Sequence, residues 1–161
     1  MQVVPAHQLF TVSDPKRRYS SMTGALQTLY NARPRPHYLA LTLLILCYID
    51  AVAARGARGT KPKFLRFVRR NFPQLCAGLD NRESGLDGAE VLYRFYRSEM
   101  VHTFFSRNRK YAIAENHELN GAYVDDVKVS GTPRVKVAVN VDKLYWDFVK
   151  LAKRKARQKT L

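Results

Sequence analysis

A mainly α-helical fold, a bundle with a small antiparallel β-hairpin or sheet set before a C-terminal helix, is what this sequence predicts. Three observations carry that expectation. Apolar residues recur at helical spacing as far as about residue 110 and again after Asp142. Between 111 and 141 they alternate at period two. The 161 residues, 46% hydrophobic and 11% aromatic, are too apolar for a disordered chain and suffice for one core that folds unaided. The expected organisation is a basic N-terminal arm over 1–19 and a single domain over 20–161. Helices occupy about 20–110 of that domain, the hairpin about 111–141, and a basic helix 142–161.

In the arm, Pro5 and Pro15 break regular structure, and Lys16-Arg17-Arg18 is a small basic cluster. Met22, Ala25, Leu26 and Leu29 predict a first helix over about Ser21 to Ala32, with Ser20 or Ser21 as its cap. Arg33-Pro34-Arg35-Pro36 stops it, because each proline lacks a donor and restricts the residue before it. The next segment, about His37 to Arg55, is apolar nearly all round, which assigns it to the centre of the bundle. It is short for a membrane span and contains Asp50. Gly56 and Gly59 end it. Between Pro62 and Phe72, the residues Phe64, Leu65, Val68 and Phe72 make one apolar face that Lys63, Arg66, Arg69 and Arg70 largely avoid. A polar loop over Gly78–Gly88 leads to an amphipathic helix from Ala89 to Phe105. Tyr111, Ile113 and Glu115, then Val124, Val127 and Val129, then Val135, Val137, Val139 and Val141 read as strands. Gly131-Thr132-Pro133 turns between the last two. Asp142 caps a final helix whose apolar side is Leu144, Tyr145, Phe148, Val149 and Ala152.

Charge narrows the function. The chain has 28 Lys+Arg against 13 Asp+Glu, a formal net charge of +15. Such a field attracts polyanions and speeds their association. Nucleic acid is the commonest partner for a basic chain of this size; an acidic protein or an anionic surface also fits. No acid lies between Asp50 and Asp80, and Lys153, Arg154, Lys155 and Arg157 crowd an acid-free tail. Lys63, Arg66, Arg69, Arg70 and these tail residues are the candidate phosphate contacts. Cys47 and Cys76 lack metal-ligand spacing and read as buried free thiols of a reducing cytosol. Met1–Phe10 lacks the charged-then-apolar order of a secretory signal. His37 and His117 have no metal-like company, and no metal or cofactor is expected.

The chemistry-bearing residues are Arg97 and His102. An imidazole can take the proton from a ribose 2′-hydroxyl, which then attacks the adjacent phosphorus, while a guanidinium grips the phosphate oxygens and stabilises the transition state. The substrate is then RNA, since DNA lacks the internal nucleophile. Geometry resists the pairing: on an ideal α-helix, positions five apart are about 140° and about 7.5 Å apart. Arg94, Ser98 and His102 share a stripe instead, with Arg97 at its flank. A long side chain, a local bulge or a second copy of the chain would each reunite the pair. Asp50, alone in an apolar helix, needs a partner such as Arg97 or His102 if it is buried. Tyr93 and Tyr96 flank the motif, where core packing is favoured over base stacking.

Leu92-Tyr93-Arg94-Phe95-Tyr96-Arg97-Ser98-Glu99-Met100-Val101-His102-Thr103-Phe104 resembles the signature helix of the HEPN-domain superfamily, small helical bundles that carry Arg, four to six residues, then His. An acid-bearing apolar helix (Leu43–Ala54) followed by an aromatic-basic one (Phe64–Phe72) is similar to the bacterial and phage branch. The likeness covers roughly Tyr38 to Lys110. It implies a HEPN-like domain and a metal-independent endoribonuclease of toxin–antitoxin or phage-defence type, with Arg97, His102 and Ser98 catalytic and Asp50, Arg94 and Glu99 supporting. It also implies a homodimer whose two motifs line one cleft, and an antitoxin or other protein partner. Two positions depart from the family. Ser98 stands where Asn, Asp or His is frequent. Phe104 stands where toxins silenced by a nucleotidyltransferase have Tyr, so it offers no hydroxyl to modify. The alternatives are a HEPN-like module that binds RNA or a partner without chemistry, and a structural subunit of a larger assembly.

Overall fold

Seventeen residues, Tyr38–Ala54, form a helix with Asp50 as its one charge, and the rest of the fold wraps around it. The computed structural model describes residues 15–32, 37–54, 60–99, 110–128 and 130–158. This central helix, α2, packs against α1 (Pro15–Asn31), α3 (Lys61–Asn71) and α6 (Val141–Gln158). Leu41, Ile45, Leu46 and Ile49 of α2 are fully buried with Met22 and Leu26 of α1 and Phe64 and Val68 of α3. No helix among the described residues is long and apolar enough to cross a membrane.

Two helix boundaries differ from expectation. Helix α1 starts at Pro15, so residues 15–19 belong to it rather than to an irregular arm, and Ser20 and Ser21 lie inside it instead of capping it. A proline's fixed φ suits a first helical turn, where its missing N–H costs nothing. The same logic adds a helix just before the loop expected from Gly78: α4, Pro73–Leu79, begins on a proline and buries Leu75 and Leu79. Residues 1–14, Arg33–Pro36, Gly56 and Gly59 lie outside the described residues, as do Met100 to Arg109.

After α4 the chain turns through residues 80–87 into α5, Gly88–Val91. Asp87 accepts from the backbone N–H groups of Ala89 and Glu90, and Glu90 reaches back to the Asp87 N–H, a complete capping box. The sequence predicts an amphipathic α-helix over 89–105. The structure instead has a π-helical segment at Leu92–Ser98, in which the Glu99 N–H reaches the Arg94 carbonyl five residues back. Aromatic packing holds the wider turn. Phe95 stacks on Tyr111 at 4.6 Å between ring centroids, and the Tyr96 hydroxyl donates to the Val137 carbonyl at 3.0 Å.

Strands β1 (Tyr111–Ala114), β2 (Val124–Lys128) and β3 (Val135–Asn140) form one sheet in the order β1-β3-β2. The β2–β3 hairpin is antiparallel, and its turn uses Gly131 at φ +73°. The expectation of a purely antiparallel arrangement fails at β1, which pairs parallel to β3 on its other edge. Asn140 makes this possible. Its amide donates to the Asn116 side chain and the Ala122 carbonyl, tying down the 115–123 connection that crosses the sheet end. Its oxygen accepts from the Lys143 N–H, so Asn140 caps α6. Asp142, the expected cap, instead accepts from the Asn116 N–H, and Val141 opens the helix rather than closing the strand. Leu144, Tyr145, Phe148, Val149 and Ala152 are buried as their spacing predicts.

Gly88 has no room for a side chain, because a Cβ there would overlap the Cys76 carbonyl of α4. Gly88→Ala is expected to destabilise the fold by about 2–3 kcal/mol in urea unfolding, the cost of overpacking a rigid backbone contact. Burial pushes the Asp87 carboxyl up, but the Glu90 N–H, the Arg69 guanidinium and the Ala89 N–H outweigh it and hold Asp87 below its ordinary value. Its contribution is therefore complete above the unfolded pKa of about 3.9 and is lost as pH falls through the lower folded value. Asp87→Asn should flatten the acid limb of stability measured below about pH 4.

Candidate functional site

Asp50, near the end of α2, and Arg97, near the end of the π-helical segment, are 47 positions apart in sequence. The Arg97 Nη2 donates to Asp50 Oδ2 at 2.6 Å. Their side chains keep 22% and 19% of their surface exposed, so the pair sits at the lip of the core and not within it. An apolar helix carries a carboxylate at such a position only if a cation meets it. The Arg97 Nε is buried and has no hydrogen-bond partner among the described residues. One N–H of the fork is thus taken by Asp50, and a guanidinium has five.

Tyr93 stands beside this pair. The Arg97 guanidinium carbon lies 5.5 Å from the Tyr93 ring centroid. Lys61, the first residue of α3, places its Nζ 5.9 Å from the same centroid. Phe64 packs edge-on to Tyr93 at 5.2 Å and fixes the ring. Lys61 also reaches Glu90 Oε1 at 3.9 Å. The site is a line of Asp50, Arg97, Tyr93, Lys61 and Glu90, each cation backed by a carboxylate and both facing one ring.

The expected residues are distributed unevenly about this line. Ser98 closes the π-helical segment and is half-buried, as is Glu99. Arg94 is exposed, its guanidinium 5.3 Å from the Phe95 ring. His102 lies outside the described residues. Arg66, Arg69 and Arg70 are exposed on α3 and, with Lys61, Pro62 and Leu65, line a groove of about 730 Å³. Arg69 is engaged with Asp87, its Nε 3.1 Å from Oδ2. Lys63 is half-buried. Lys153, Arg154 and Arg157 are exposed on α6, and Lys155 is half-buried. Asn71 at the end of α3 shares a groove of about 380 Å³ with Asp147, Lys150 and Arg154 of α6.

Sequence reasoning missed Lys61 and Glu90 and favoured core packing over base stacking for Tyr93. The available signal for Lys61 was a lysine opening a helix that has no acid in its first turn, against the preference of the helix dipole. The cysteines are free, and burial pushes both thiols up, Cys76 to about 11, so neither is a ready nucleophile at neutral pH. No cluster of three metal-ligating side chains occurs among the described residues. A further concavity of about 750 Å³, between Tyr30, Trp146 and the 115–117 loop, mixes Glu115, Asp142 and Asp147 with Lys143 and Lys150 and suits a polyanion poorly. Comparison of the chain with protein-family models, with curated proteins and with solved structures gives no match.

Removing the charge of Asp50 while keeping its shape tests the pair. Asp50→Asn is expected to cost about 1–2 kcal/mol, less than a fully buried pair because both groups still see solvent. A double-mutant cycle with Arg97→Gln should return a coupling above about 0.5 kcal/mol. Additive losses would mean the two residues act independently.

Proposed function

We propose that the chain is a metal-independent endoribonuclease of HEPN type, with His102 as general acid and base and Arg97 as the ligand of the scissile phosphate. The observation that carries this reading is Arg97 itself, held at the edge of the core by Asp50 through one nitrogen and still partly exposed. A guanidinium buried only for stability would be enclosed by acceptors; this one is anchored at one nitrogen and keeps a fifth of its surface exposed.

The reaction follows from the residue types. His102 removes the 2′-hydroxyl proton, the 2′-oxygen attacks phosphorus, Arg97 stabilises the extra charge, and the 5′-oxygen leaves with a proton. The expected products end in a 2′,3′-cyclic phosphate. Asp50 positions Arg97, and Ser98 contacts the phosphate or the imidazole. Arg66, Arg70 and the exposed cations of α6 hold the RNA backbone. In this reading two copies pair across their motifs, and the biological setting is a cytoplasmic toxin or phage-defence effector controlled by a protein partner.

The second reading is an RNA- or partner-binding module without chemistry. The same Asp50–Arg97 pair favours it, since an ion pair between α2 and the π-helical segment also serves to lock them together.

Arg97→Ala and His102→Ala should each lower cleavage of a labelled single-stranded RNA by about 10²–10⁴-fold with chelator present, and DNA of the same sequence should stay intact. Wild-type inactivity on single-stranded and structured RNA, or undiminished cleavage by both variants, would remove the nuclease reading.

A further inference from the structure

We infer that Lys61 is a phosphate-binding residue that joins the α3 groove to the Arg97 site, with Tyr93 as the spacer that sets the two cations apart. The ligand class is the backbone of a single-stranded RNA. This inference rests on the ribonuclease reading for the identity of the polyanion.

Lys61 belongs to two features at once. It lines the groove with Arg66, Arg69 and Arg70, and it faces the ring that Arg97 also faces. Its Nζ lies 5.9 Å and the Arg97 carbon 5.5 Å from the Tyr93 centroid, so the gap between the cations cannot exceed the sum of these distances. A short extended stretch of one strand spans that gap. Phe64, fully buried beneath Tyr93, prevents the ring from moving aside. Tyr93 thus gives the two cations a common surface, on which Arg97 is held tightly and Lys61 loosely.

The carboxylates behind them differ. Asp50 holds Arg97 at 2.6 Å, while Glu90 lies 3.9 Å from a Lys61 side chain that is 51% exposed. Arg97 is fixed and Lys61 is only loosely tethered, so Lys61 can turn from Glu90 to a phosphate without breaking a tight bond. Glu90 keeps its other role, accepting from the Asp87 N–H. Beyond Lys61, Arg66 and Arg70 extend the positive track and meet no carboxylate within ion-pair distance among the described residues. A basic groove ending at an aromatic ring is the general pattern for unpaired strands. In-line attack by a 2′-oxygen also needs a nucleotide free to leave helical geometry, which an unpaired strand allows.

The test separates binding from cleavage by using a labelled oligouridine with 2′-O-methyl riboses, which cannot be cut by this chemistry. Fluorescence anisotropy across a salt series gives affinity and its salt slope. Lys61→Ala is expected to weaken binding about fivefold or more and to lower the slope by about 0.7, the loss of one single-strand phosphate contact. Lys61→Arg should restore both. Glu90→Gln, which can still accept the Asp87 N–H, should tighten binding by freeing Lys61, an effect that a merely structural lysine would not give. Wild-type affinity and slope in Lys61→Ala would overturn the inference, as would a defect that Lys61→Arg leaves unrepaired. If the wild type shows these dependences but leaves unmodified RNA uncut, the nuclease reading falls and the Lys61 assignment stands. If the wild type binds no RNA, both fall. A duplex that competes as well as the single strand would overturn the assignment of ligand class.

Discussion

Asp50 is the point at which the apolar centre of this fold meets its charge. Helix α2 touches α1, α3 and α6, and a carboxylate within it needs a cation that the core cannot supply from nearby sequence. Arg97 supplies it from 47 positions away in sequence at 2.6 Å. That one bond fixes the end of the π-helical segment against the end of α2, and it determines where the Arg97 fork points. Tyr93, one π turn earlier, is drawn against Phe64 of α3 by the same placement. The elements of the site are therefore positioned by the packing of three helices.

The π-helical turn is the structural concession that makes this possible. Leu92, Phe95 and Tyr96 are buried, Tyr96 bonds β3, and Phe95 stacks on β1. Arg97 must at the same time reach α2. The widened turn meets the sheet through Phe95 and Tyr96 and α2 through Arg97, and such turns recur at functional positions.

Much of the fold was legible because it is periodic. The buried faces of α3 and α6 follow from spacing, and the β2–β3 hairpin follows from alternation about Gly131. What was not legible depends on single residues or on distant partners. Pro15 reads as a breaker, yet it opens a helix, as Pro73 also does, since a proline's effect depends on whether it stands at the first turn or inside. Asn140 and Asp142 are both plausible caps, and only the fold of the 115–123 connection decides between them. The parallel β1–β3 pairing joins residues about 26 positions apart and leaves no local trace. The site divides the same way. Asp50 announced a need for a cation because a lone charge in an apolar helix must be paired, and Arg97 answers it. Lys61 and Glu90 gave a weaker signal, because a lysine at the start of an amphipathic helix is ordinary and its half-buried acid partner lies 29 positions away in sequence.

The distribution of paired and unpaired cations gives the high net charge its meaning. Acids are few, and near the site they stand behind specific cations: Asp50 behind Arg97, Glu90 behind Lys61, Asp87 behind Arg69, Glu83 behind Lys110. Partly exposed pairs of this kind add little to stability. Their effect is geometric, holding a cation in place while offsetting its field at long range. Arg66 and Arg70 on α3, and Lys153, Arg154 and Arg157 on α6, meet no carboxylate within ion-pair distance among the described residues, and all five are exposed. An approaching polyanion would feel these five first, at long range, and the neutralised line of Lys61 and Arg97 only on contact. Attraction and positioning are thus assigned to different residues. Loss of an α6 cation should slow association and weaken its salt dependence, whereas loss of Arg97 should leave the approach intact and remove what happens after it.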